Sequence, residues 1–73
     1  MTRREDAHLR MLDAFQRLQS RAADWLDLVR QDTEQRLGSY ETEDVIEDPD
    51  YCAALKVYGA ITDTQEIARR SAA

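Results

Sequence analysis

The chain has 73 residues, with ten basic and fifteen acidic side chains and a net charge of −5. It holds one cysteine, Cys52, and one histidine, His8, which excludes an internal disulfide and a Cys/His metal cluster. At this length there is one domain, and its small core calls for a second copy or another partner to complete it. No apolar run is long enough to cross a bilayer, and the charged opening MTRREDAHLR does not resemble a signal peptide, so a cytoplasmic protein is expected.

The first element predicted is a long helix over residues 3–37. Thr2 and Glu5 form a capping box, in which hydroxyl and carboxylate each satisfy a free backbone N–H. No Gly or Pro follows until Gly38, which suits the left-handed residue that ends a helix. Such a helix is roughly 50 Å long. His8, Met11, Phe15, Leu18, Ala22, Trp25 and Val29 step by three and four and predict its buried seam. Leu12, Ala14, Leu26 and Leu28 lie beside them and widen the apolar stripe beyond that of a two-stranded coiled coil. Asp6 with Arg10, Asp13 with Arg17 and Asp32 with Arg36 have the spacing of ion pairs on a solvated face.

Residues 38–48 are predicted as a connection. Residues 41–50 hold six of the fifteen acids and no base. Read plainly, this is a solvated loop whose acids also favour the dipole of the helix that follows. Read as a site, Glu41, Glu43, Asp44 and Glu47 frame the apolar pair Val45 and Ile46, and these six residues are the candidate partner-binding set.

Asp48 and Pro49 open the next helix, predicted over residues 49–70, with Asp as cap and Pro at the first helical position. Tyr51, Ala54, Leu55, Tyr58 and Ile61 share one face, with Ile67 and Ala68 further on. Gly59 predicts a break or a close approach of helices, and Asp63 to Glu66 reads as a capping box that restarts the helix near 60–63.

These elements make an all-α hairpin with unequal arms. By length alone the second arm reaches back only to about Phe15 or Leu18, leaving Leu9, Met11, Leu12 and Phe15 on an overhang of about three turns. Two such hairpins packed as a homodimeric four-helix bundle would cover that surface. Met11, Phe15, Leu18, Ala22, Trp25, Val29, Leu55 and Tyr58 are the expected core and dimer residues.

Little in the chain points to chemistry. His8 reads as a packed residue and Cys52 as a small buried hydrophobe, with no base near it in sequence. Counted from Asp48 as a calcium loop, the sixth position is Ala53 and the twelfth Gly59, which fails the pattern. There is one Glu-x-x-His, at Glu5 and His8, where a di-iron bundle needs two, and no phosphate-binding glycine loop. No catalytic residue, metal or cofactor is therefore expected. The segment from Ala54 to Arg70 loosely resembles a helix-turn-helix with its turn at Gly59 and basic Arg69 and Arg70 at its end. The acidic run, Asp63 and Glu66 oppose a phosphate backbone, so nucleic acid is not the expected partner. The function expected is that of an inhibitor or adaptor that binds another protein, a type common among phage and mobile-element accessory proteins. A transcription regulator and a structural subunit are the competing classes.

Overall fold

The computed structural model describes residues 2–38 and 40–71, with the backbone alone at Thr42. It contains three helices: α1 (Arg3–Leu37), α2 (Thr42–Glu47) and α3 (Pro49–Arg70). No strand occurs among the described residues. α1 and α3 lie antiparallel as a hairpin about 54 Å long and 16 Å wide.

The ends of the helices follow from local chemistry. Thr2 Oγ1 accepts from the Glu5 backbone N–H at 3.1 Å and donates to the Glu5 carboxylate at 3.1 Å. Gly38 ends α1 at φ 66°, and its N–H reaches the Glu34 carbonyl. That left-handed conformation strains any residue with a Cβ. Asp48 caps α3 by accepting from the N–H groups of Asp50 and Tyr51, each at 3.1 Å.

Four parts of the sequence reading change. The connection is partly helical: α2 is a six-residue helix that turns Val45 inward and Ile46 outward. α3 runs unbroken through Gly59, so the helix-turn-helix reading has no turn to stand on. A Cβ built on Gly59 meets nothing within 4 Å, so no close approach requires the glycine either. The long overhang is absent. His8 Nε2–H donates to the Ala68 carbonyl at 2.8 Å, so the last turn of α3 reaches the second turn of α1. Finally, Arg36 pairs with Asp48 across the connection rather than with Asp32.

The seam between the helices also differs from the predicted one. The packed positions along α1 are His8, Leu12, Phe15, Gln19, Ala22, Leu26, Val29 and Thr33, with Asp6 and Glu34 also half-buried. They alternate steps of four and three, as a packed helix requires. Every second member belongs to the predicted seam too. Met11, Leu18 and Trp25 do not; each gives its place to the next residue along and stays exposed. On α3 the facing set is Tyr51, Ala54, Tyr58, Ile61, Gln65 and Ala68. The Gln65 amide, buried here, donates to Gln16 Oε1 at 3.3 Å, and the buried Thr33 hydroxyl donates to the Val29 carbonyl at 2.8 Å.

The resulting core is thin. The buried apolar residues are Ala22, Val45, Ala54 and Ala68, and no large side chain among the described residues is fully enclosed. Alanine at the contact lets the helices approach closely but removes little apolar area from water.

Candidate interaction surfaces

The two flanks of the hairpin differ in kind. At about 100° per residue, Met11, Ala14, Leu18, Trp25 and Leu28 trail the α1 seam by roughly a quarter turn. All five are exposed, Trp25 to 45% and Leu28 to 59%. On α3, Ala53, Val57, Ala60 and Ile67 trail their seam by a similar angle and are also exposed, Ile67 to 66%. Seen end-on, antiparallel right-handed helices wind in opposite senses and face one another. Equal offsets from their seams therefore fall on the same side of the hairpin. The two stripes form one apolar face across both helices, interrupted only by polar residues such as Arg21, Asp32 and Thr64.

The other flank is richer in polar groups bonded to one another, with Leu9 and Leu55 as its exposed apolar side chains. Arg30 contacts Asp27 and reaches Glu34 at 3.7 Å, and the Asp27 carboxylate also accepts from Gln31 at 2.9 Å. The Asp27 carboxylate beside it holds the Arg30 guanidinium above its usual pKa. Gln16 lies on this flank and accepts from Gln65 and, at 3.5 Å, from Arg69. Ala23, Leu26, Asp27, Arg30, Tyr51 and Tyr58 line a shallow hollow of about 380 Å³ here. A smaller hollow of about 250 Å³ lies among Tyr40, Val45, Ile46, Tyr51 and Leu55, where α2 meets the hairpin.

The closed end carries the acids. Arg36 Nη2 donates to Asp48 Oδ1 and lies 3.8 Å from Asp50. Asp48 is 6% exposed. The Arg36 hydrogen bond lowers the Asp48 pKa against the opposing effect of burial, and the two backbone donors lower it further. The Cys52 thiol donates to the Ile46 carbonyl, tying α2 to α3.

Of the predicted partner-binding residues, Glu41, Glu43, Asp44 and Glu47 are on the surface of α2 or at its start. Ile46 is 49% exposed beside them, whereas Val45 is 4% exposed and belongs to the protein's own core. Of the expected core and dimer residues, Ala22 is buried, and Phe15, Val29 and Tyr58 are half-buried between the helices. Met11, Leu18, Trp25 and Leu55 remain exposed, the first three on the apolar face. On the α3 half of that face, Val57 and Ala60 are absent from the sequence reading, and Ile67, which it grouped with Ala68 on the packed face, is exposed; the spacing from Ala53 by four, three and seven was the available signal.

Among the described residues no group of three His, Cys, Asp or Glu is placed to hold a metal, and no helix is long and apolar enough to cross a membrane. No family model, curated protein or solved structure matches the chain.

Proposed function

We propose that this protein is a non-enzymatic interaction module. It dimerises through the apolar face into a four-helix bundle and uses its acidic closed ends to bind a basic surface on another protein, as an inhibitor or adaptor. The observation that carries the reading is the contrast between a core made mostly of alanine and a continuous face of larger apolar side chains left in water. Soluble single chains rarely leave so wide an apolar patch uncovered, and a two-helix hairpin gains its missing burial when such a face is covered. The acids add steering toward a cationic partner more than they add affinity. A cytoplasmic setting goes with this reading.

The test is sedimentation between about 1 and 100 μM, a span that covers ordinary homodimer affinities. The expected result is a dimer whose single tryptophan, Trp25, shifts its emission to the red as dilution separates the copies. A helical, well-ordered single copy across the range overturns the reading. For the acidic end, capture from the native host should lose its partner when Glu43, Ile46 and Glu47 are replaced together by Gln, Ala and Gln.

A further inference from the structure

The apolar face admits two ways of pairing, and they differ in what they do with the charge. Resting on the dimer reading above, we infer that the second copy docks antiparallel, with α1 against the partner's α1 and α3 against the partner's α3. The alternative lays α1 on the partner's α3, with both closed ends at the same end of the bundle.

Charge separates them. Residues 20–62, the half toward the closed end, hold ten acids and four bases; the remaining residues hold five acids and six bases. The halves therefore carry −6 and +1. Stacking closed end on closed end would lay the two acidic halves of the hairpins side by side, although α2 packs against the flank of Arg30 and Glu34, so its own acids would sit on the outer sides of the bundle. Antiparallel docking sets each −6 half beside a +1 half. It also brings the basic start of α1, Arg3 and Arg4, toward the partner's Asp32 and its acidic end.

Register gives a second, independent argument. Along α1 the antiparallel stripe pairs with itself about a point between Gln19 and Ser20: Met11 meets the partner's Leu28, and Ala14 the partner's Trp25. At the centre Leu18 meets the stem of the partner's Arg21. On α3 the corresponding pairs are Val57 with the partner's Ile67 and Ala60 with the partner's Thr64, about a centre at Thr62. The Gln65–Gln16 bond puts Thr62 level with about Gln19, and the His8–Ala68 bond puts it level with about Ala14. The two centres therefore lie between about one and five residues apart, up to ~8 Å. A single two-fold axis serves both helices only approximately. The stripe from Ala7 to Asp32 is about 38 Å long at 1.5 Å per residue. Over a hairpin 16 Å wide between backbones, it buries on the order of 700 Å² per copy once side chains are included, the size of a standard specific interface.

The orientation has a functional consequence. The two acidic ends lie at opposite ends of a rod, so the dimer offers two separate binding sites rather than one doubled patch. It would bridge two basic partners, or one partner with two well-separated basic surfaces.

The experiment is pulsed dipolar spectroscopy on a spin label at Glu43→Cys in a Cys52→Ser background, with Ser20→Cys as a control near the centre. Antiparallel docking predicts a distance of roughly 50–60 Å between Glu43→Cys labels and a short one between Ser20→Cys labels. A Glu43→Cys distance below about 45 Å, from closed ends lying at the same end of the bundle, overturns the orientation and leaves the dimer standing. Absence of dipolar modulation at both sites, with single-copy sedimentation, overturns the orientation and the dimer reading together.

Discussion

The two flanks of the hairpin are made by the same helices and have opposite characters. On one, Asp27, Arg30, Gln31 and Glu34 bond among themselves, and Gln16 joins α1 to α3. On the other, Met11, Leu18, Trp25 and Leu28 lie in water beside Val57 and Ile67. The difference teaches that amphipathic periodicity has more than one reader. A helix stripe wider than one neighbour can cover leaves a second apolar face open beside the packed one.

The sharpest way to break that comparison is to place the same charge on both sides. Ala22→Asp buries an unpaired carboxylate in the seam and should cost about 3 kcal/mol or more, melting the helices at every concentration. Leu18→Asp sets the same group on the open face. It should leave the hairpin's own contacts in place and weaken dimerisation by on the order of 100-fold or more. Circular dichroism and sedimentation of the two variants separate these outcomes. If Leu18→Asp sediments as the wild type does, the face is unused.

A second prediction concerns the closed end. Asp48 has a folded-state pKa below its ordinary 3.8, because Arg36 and two backbone donors favour the carboxylate. Its stabilising effect is therefore complete above pH ~4 and is lost as pH falls through the lowered value. Asp48→Asn keeps a capping oxygen but loses the ion pair. Its melting temperature should fall by roughly 5 °C at pH 7, and the gap from wild type should close as the pH is taken below the folded-state pKa. A gap that persists unchanged in acid would show that the pair contributes nothing through ionisation.

The smallest effect expected is on the polar flank. Gly59 sits within α3, turned away from the apolar face, with open space where a Cβ would go. Gly59→Ala should stabilise the helix by about 0.5–1 kcal/mol in thermal unfolding without changing the dissociation constant of the proposed dimer. A loss of association would bring this flank into the interface and erase the distinction between the two sides.

Thr2, Gly38, Asp48 and Pro49 made both long helices legible before any packing was known. A cap acts within about four residues of itself, so its chemistry is written locally. α2 was less legible, since six residues with no side-chain cap hold a helix only when it is docked, here by Val45 and the Cys52 thiol.

What the sequence determined by itself is an all-helical chain with a long first arm, its turn at Gly38, and an acidic closed end. What only the tertiary structure decided is which seam closes. His8, Phe15, Ala22 and Val29 belong equally to a seam through Met11, Leu18 and Trp25 and to one through Leu12, Gln19 and Leu26. Periodicity favours the first, because it is richer in apolar residues. The fold takes the second, with the connection held by Arg36, Asp48 and Val45 and with alanines at the contact letting the helices close. Rotation of a helix about its own axis depends on groups distant in sequence, and a repeat of sevens does not record it.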